Sequence, residues 1–176
     1  MNLIEFYRLE QKRLHHELGE SLKGLTTEQW HYSTGGVSNT IAFFMWHIVR
    51  TEDNVLRLIL EERKPIWAEG KWAERLNLPS RAQGTGMATN EAQELRISDP
   101  ALFMEYTQQV WQEFETYLAN VNDGGVALSE RIVMVKPLGE MPAIQAIGQV
   151  CLTHLYMHYG EITHLIGTMG KQGQPR

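Results

Sequence analysis

One segment of the sequence, residues 38–64, contains neither glycine nor proline, and it constrains the fold more than any other. Its apolar side chains recur with the period of an α-helix, at Ile41, Phe44, Met45, Ile48, Val55, Leu56 and Ile59. Ser38 is a candidate N-cap, and Pro65 stops the pattern because proline cannot continue a helix. The segment therefore predicts one long helix.

Three further segments have the same periodicity. Residues 3–23 carry an apolar stripe, and Asp99 followed by Pro100 supplies the cap and first turn of a helix that continues to about residue 121. Pro142 opens a last helix that ends near Gly167 or Gly170. The sequence thus predicts an all-α four-helix bundle, formed as one domain by residues 1–176.

Two long connections join these predicted helices. Residues 65–98, between the second and third helices, mix Gly-Thr-Gly with one or two short helical signals, and long loops of this kind are often functional. Residues 122–140, between the third and fourth, contain Asp-Gly-Gly and the β-branched run RIVMV. That run is either a short strand or an extended crossover.

Composition excludes several classes of protein. The formal net charge is −5, the pI is near 5.8, and no block of basic residues is present, which argues against nucleic acid and favours a neutral or cationic small ligand or another protein. The longest apolar run, IAFFMWHIV, is far shorter than the roughly 20 residues of a membrane-spanning helix. With no basic leader, a cytoplasmic protein without a membrane partner is expected. The single cysteine excludes an intramolecular disulfide and any cysteine cluster.

Histidines provide the strongest chemical signal. His154 and His158 are four residues apart, so on a helix they share a face, roughly 6 Å from each other, which suits two ligands of one metal but also two ordinary surface histidines. Leu155 stands where a zinc protease carries its glutamate, which argues against a metalloprotease. His47 is the best third ligand because it lies among apolar residues and needs a partner, either a metal or a backbone carbonyl.

The other histidines are weaker candidates. His15 and His16 point about 100° apart on the first helix, and both are expected to be solvated. His31 belongs to a loop and either lines an entrance or is exposed, whereas His164 faces away from the pair. Cys151 is expected to behave as a small buried hydrophobe and is not a candidate ligand.

Two residues near the histidine pair have open roles. Glu161 follows His158 by three positions, so it is a hydrogen-bond acceptor that orients this histidine, a catalytic base, or a plain surface charge. Gly160 costs the helix about 1 kcal/mol relative to alanine, which predicts that a neighbouring helix or a ligand approaches there.

These features together resemble the DinB superfamily, including its YfiT-like metalloenzymes. The resemblance rests on a lone histidine in an apolar second helix, on His-x-x-x-His-x-Gly-Glu-Ile in the fourth, and on the intermediate stretch RLNLPSRAQGTGMATNEAQELR, and it covers about residues 5–170. It implies an up-down-down-up bundle in which His47, His154 and His158 hold a divalent metal, most often zinc or nickel. One departure is the stretch HYGEI, where many members carry arginine followed by Gly-Gln.

The resemblance implies a small-molecule substrate but leaves the reaction open. One hypothesis is a metal-dependent enzyme, either an S-transferase that uses a low-molecular-weight thiol or a hydrolase. A second is a non-catalytic module that binds a metal or small ligand, for example in a stress response. A third is a structural helical protein. We also predict a homodimer, although the five tryptophans and eight methionines are better suited to a core than to an interface.

Overall fold

The computed structural model describes residues 1–173 and is mostly helical, with one small hairpin. This agrees with the predicted helical class and adds two strands to it. The elements are α1 (Leu3–Leu22), α2 (Thr27–Trp30), α3 (Ile41–Asn54), α4 (Ile66–Glu69), α5 (Trp72–Leu76), α6 (Thr89–Glu94), α7 (Pro100–Ala119), α8 (Val126–Glu130), β1 (Ile132–Val135), β2 (Gly139–Pro142), α9 (Ala143–Ala146) and α10 (His154–Thr168). Within the described residues, none of the helices is both long and apolar enough to cross a membrane.

The helix starts show which capping signals were informative. Helix α7 begins at Pro100, and the side chain of Asp99 accepts a hydrogen bond from the Leu102 N–H at 2.9 Å, as predicted. Helix α3 begins at Ile41 rather than near Ser38, because Thr40 caps it through its side-chain oxygen. The prediction of Ser38 as the cap was wrong: its hydroxyl instead accepts from the Thr34 N–H.

Two of the long helical segments contain a π-helical stretch. Residues Val55–Leu60 continue α3, and residues Ile147–Thr153 join α9 to α10, so the predicted second and fourth helices are continuous but not regular. The two stretches contact each other. A π-helical turn is wider than an α-helical turn and is frequently found beside a functional site. Both stretches contribute residues to the cavity described below.

The RIVMV run is a strand, which decides between the two alternatives for this connection. Strand β1 pairs with β2 in an antiparallel hairpin, with Val135 opposite Gly139 next to the turn. Arg131 fastens the hairpin to the end of the first π-helical stretch, because its guanidinium donates to the carbonyls of Leu60 and Ile59 at 2.6 and 2.8 Å. The hairpin is therefore anchored at the C-terminal end of this π-helical stretch.

The connection at residues 65–98 contains three short helices, α4 to α6, where one or two were predicted. Its start is attached to α3 by Asp53, a buried carboxylate that accepts from the N–H groups of Ile66 and Trp67 and from the Tyr106 hydroxyl. Burial raises the pKa of Asp53 and that of Tyr106. This attachment directs the chain back over α3, where residues 83–87 reach the cavity.

Tryptophans pack in the core, as expected from their size. Trp30, Trp46, Trp67 and Trp72 are each at most 2% exposed, so they are not available to an interface. The core also encloses a polar cluster centred on Glu52, whose carboxylate accepts from Gln11 at 2.6 Å and pairs with His15 at 2.9 Å.

His15 is buried, and the prediction that it is solvated was wrong. Its ring stacks on Trp111, with centroids 4.5 Å apart, and its Nε2 reaches Glu52 on α3. His16, its neighbour in sequence, is exposed as predicted. The contrast arises because only one of two adjacent helix positions faces the interior.

Candidate metal centre

Three histidines from two helices converge in the structure. His154 and His158 lie on α10 and His47 lies on α3. The Nε2 atom of His154 is 3.2 Å from that of His47 and 3.0 Å from that of His158. Two nitrogen ligands at about 2.0–2.1 Å from a tetrahedral zinc ion stand roughly 3.3 Å apart, so this spacing matches a shared metal. The three side chains predicted from the sequence are brought together and could hold a metal ion.

The outer nitrogens of two of these rings are engaged by acceptors. Nδ1 of His47 lies 2.6 Å from the carbonyl oxygen of Gln83, and Nδ1 of His158 contacts the carboxylate of Glu161. A carbonyl or carboxylate oxygen only accepts, so each Nδ1 carries the hydrogen and each Nε2 of the neutral ring presents a lone pair. Both inner nitrogens are therefore acceptors.

His154 cannot satisfy both neighbours. Its Nδ1 is buried without a hydrogen bond, and the Val150 carbonyl is the acceptor nearby. If His154 carried its hydrogen on Nε2, it would donate to one neighbour and leave the other lone pair unpaired. When all three rings are neutral, their Nε2 atoms face one another and carry at most one hydrogen in total. A cation at their centre would satisfy all three, which is the arrangement that metal-binding histidines adopt.

Two of the three rings are held in the neutral form that binds metal. Burial lowers the pKa of His47. The pKa of His154 is lowered to about 4, mainly by burial and further by electrostatic repulsion from His158 and His47. At pH 7 these imidazoles therefore keep their lone pairs.

Aromatic side chains on α3 pack against the histidine rings. Phe43 lies one turn before His47, and their rings are nearly parallel at 5° with centroids 5.9 Å apart. The Phe44 ring is 5.2 Å from that of His158. These contacts limit the orientations available to two of the three imidazoles. The apolar run that suggested a core helix in the sequence thus also forms one wall of the cluster.

The loop that carries Gln83 is fitted closely over His47. The side-chain amide of Gln83 accepts from Asn54 and donates to Thr85, which fixes the loop to α3. Gly84 has a φ of +91°, and a β-carbon at this position would lie 3.1 Å from both the His47 Nδ1 and the Phe43 ring. Only glycine fits here without displacing the histidine.

Replacing Gly84 with alanine should lower zinc affinity about tenfold, because the new methyl group pushes His47 from the position that Gln83 sets. Gly86→Ala is a matched control: it introduces the same side chain at a φ of +73° in the same loop, where a β-carbon meets nothing within 4 Å. Titration with a zinc-chelating dye measures both affinities. Equal losses in the two variants would show that backbone strain, not contact with His47, is responsible.

A cavity of about 610 Å³ opens beside the three histidines. Its wall combines amide and hydroxyl groups with apolar side chains and one lysine. Besides the histidines, the lining includes Asn54, Val55, Ile59, Gln83, Lys136, Gln149, Val150 and Met157. Among the described residues lining it there is no Asp or Glu. The cavity is large enough for a small organic molecule in contact with the histidine cluster.

Other residues considered from the sequence lie outside the cluster. His31 does not line this cavity: its Nδ1 donates to the Thr27 carbonyl and its Nε2 accepts from the Ile97 N–H, so it ties two loops together. His164 lies outside the cluster, as predicted, and its side chain is exposed. Cys151 is fully buried, and burial and the charge of Glu52 raise the pKa of its thiol.

Gly160 contradicts the expectation of a close approach, because a β-carbon there would meet nothing within 4 Å. Glu161 does contact His158, whereas the sequence left this contact as one of three alternatives. Lys136 and Asn54 were not identified from the sequence at all. Gly-Thr-Gly at residues 84–86 was the only local signal for the loop that covers His47.

The helix order and the position of the histidine cluster can be compared with known families. A profile of the DinB superfamily matches residues 9–162, which is most of the chain. The chain belongs to the DinB superfamily. All three clustered histidines lie inside the matched range.

A solved structure shares the fold of this DinB-superfamily chain. It is described as a conserved protein of locus from Enterococcus faecalis; it is 19% identical, with a TM-score of 0.78, and the match covers 97% of this chain and 99% of that one. At this identity the likeness concerns the fold alone. No curated protein matches the chain.

Proposed function

We propose that this DinB-superfamily protein is a divalent-metal-dependent enzyme in which His47, His154 and His158 are the ligands, with zinc or nickel as the metal. The observation that carries the proposal is the convergence of three Nε2 atoms with at most one hydrogen among them. The adjoining cavity of about 610 Å³ supports a catalytic rather than a closed structural site, since it leaves space for a substrate beside the ligands.

The chain's own residues orient the cluster and shield it. The Gln83 carbonyl and the Glu161 carboxylate accept from the Nδ1 atoms of His47 and His158 and so fix the direction of both inner lone pairs. In this proposal Glu161 orients His158 and is not the catalytic base, because its carboxylate is engaged by the ring. When bound, a divalent metal would lower the pKa of a thiol or water beside it and so provide a nucleophile at neutral pH.

The lining of the cavity favours a thiol over water as the nucleophile. Hydrolysis commonly uses a carboxylate or other base to take a proton from the attacking water, and no described lining residue is Asp or Glu. A thiol loses its proton more readily than water and attacks directly as a thiolate. We therefore propose transfer of a low-molecular-weight thiol to an electrophilic carbon: the S–C bond forms, the bond to the leaving group breaks, and the thiol proton passes to solvent or to that group.

Zinc-loaded protein should accelerate the reaction of a small thiol with chlorodinitrobenzene at least about tenfold relative to zinc-free protein, and should not turn over nitrophenyl esters. Absorbance of the thioether product and of nitrophenolate measures the two reactions. Ester turnover without consumption of thiol would show that the protein is a hydrolase and not a transferase. Absence of both reactions in zinc-loaded protein would contradict an enzyme of either kind and favour a non-catalytic binding module.

A further inference from the structure

The cavity wall has a different charge from the chain as a whole. The chain carries a formal net charge of −5, which suggested a neutral or cationic ligand. Yet apart from the three histidines, Lys136 is the one ionisable residue among the described residues that line the cavity, and no acid accompanies it. The carboxylate of Glu161 is engaged by the outer nitrogen of His158, so the hairpin side of the wall carries the positive charge of Lys136. A ligand responds to such a local charge more than to distant surface charges.

The hairpin fixes the backbone position of Lys136. This residue stands in the turn between β1 and β2. At the other end of β1, Arg131 donates to the carbonyls of Leu60 and Ile59 and fixes the hairpin to the first π-helical stretch. Ile59 and Val55 of that stretch line the same cavity as Lys136. The hairpin thus contributes part of the cavity wall and adds a cation to it.

The ammonium group of Lys136 is free to pair with a ligand. It forms no ion pair within the described part of the chain, whereas Arg131 in the same hairpin pairs with Glu62. Gln149, which also lines the cavity, accepts from the Gln145 amide through its Oε1 at 3.3 Å, so its own amide hydrogens remain available. One cation and one amide donor suit the two oxygens of a carboxylate.

We propose that Lys136 is a specificity residue and that the substrate carries a carboxylate, joined by an apolar segment to the group that reacts at the histidines. The inference rests on the proposed function and deepens it. The cavity also offers an apolar surface from Val55, Ile59, Val150 and Met157. A carboxylate is favoured over a phosphate dianion because a single lysine supplies the charge.

Two probes of equal length test this assignment. Mercaptohexanoate and mercaptohexanol share a thiol for the metal end and an apolar chain, and they differ in the terminal carboxylate. Calorimetry with zinc-loaded protein should show that the carboxylate probe binds about fivefold more tightly. The preference should weaken in high salt, because Lys136 is exposed and its interaction is screened.

Substitutions test whether Lys136, and not another part of the cavity, causes the preference for the carboxylate probe. Lys136→Met should abolish the preference by weakening the carboxylate probe alone, Lys136→Arg should keep it, and Lys64→Met, an exposed lysine that does not line the cavity, should change nothing. If both probes bind native protein equally, or if Lys136→Met leaves the preference intact, the carboxylate assignment fails and the metal site stands. If neither probe binds zinc-loaded protein, the proposed thiol site and this inference fail together.

Discussion

Replacing His154 with alanine should lower zinc affinity by more than about a hundredfold while the far-ultraviolet circular dichroism of the protein stays unchanged. His154 is the middle member of the cluster, since its Nε2 is the atom within 3.2 Å of both other inner nitrogens. Loss of a group that merely orients a ligand costs ten- to a hundredfold in metal affinity, so loss of the ligand itself costs more. Competition with a chelator of known affinity measures the change.

His164→Ala is the matched control for this experiment. It removes the same imidazole from the same helix, but His164 is exposed and outside the cluster. Zinc binding should therefore equal that of the native protein. If His154→Ala and His164→Ala bind zinc with the same affinity and stoichiometry, the three histidines are not the ligands, and the proposed enzyme mechanism loses its basis.

Two of the three clustered histidines could be predicted because their relation depends on local geometry. His154 and His158 both lie within α10, after the π-helical stretch ends at Thr153, so the four-residue spacing places them on one face as it does in any α-helix. His47 could be predicted for a different reason. A histidine in an apolar helix needs a partner, and the last helix carries two histidines that could share a metal with it. The prediction of which helices meet came from the family resemblance.

What holds the cluster in place left little trace in the sequence. The acceptor for His47 is a backbone carbonyl, and every residue has one, so nothing marked Gln83. The π-helical stretches preserve the spacing of apolar residues well enough to look like regular helix. Lys136 depends on a hairpin that could not be distinguished from a crossover, and net charge gave no information about the local charge at the cavity.

The wrong prediction that His15 is solvated also arose from a contact that the sequence does not show. The apolar stripe of α1 includes Leu14, and the adjacent histidine was assigned to the solvated side. Its partner, Glu52, is 37 positions away in sequence, on another helix. A polar residue at the edge of a stripe is exposed or buried according to whether such a distant partner exists, and a single sequence does not reveal one.

Replacing Glu52 with alanine should destabilise the fold by about 3–5 kcal/mol, because it removes a buried carboxylate and takes from three donors the acceptor that they share. Glu52 is fully buried, and its two oxygens accept from Gln11 and His15 on α1 and from the indole of Trp111 on α7. One side chain of α3 thus links two other helices through charge-assisted hydrogen bonds. Urea denaturation followed by tryptophan fluorescence measures the change in the free energy of unfolding.

Glu115→Ala is the control that shows whether the loss of stability at Glu52 comes from its burial or only from its charge. Glu115 also links α7 to α1, through an ion pair with Arg8 at 2.7 Å, but both side chains are about two-fifths exposed, so water replaces the lost partner and the expected cost is a small fraction of that at Glu52. Glu52→Gln should fall between the two alanine variants, since its amide retains one acceptor oxygen and turns hydrogens toward the remaining donors. Equal stability of Glu52→Ala and Glu115→Ala would mean that the buried cluster does not hold these helices together and that apolar packing alone does so.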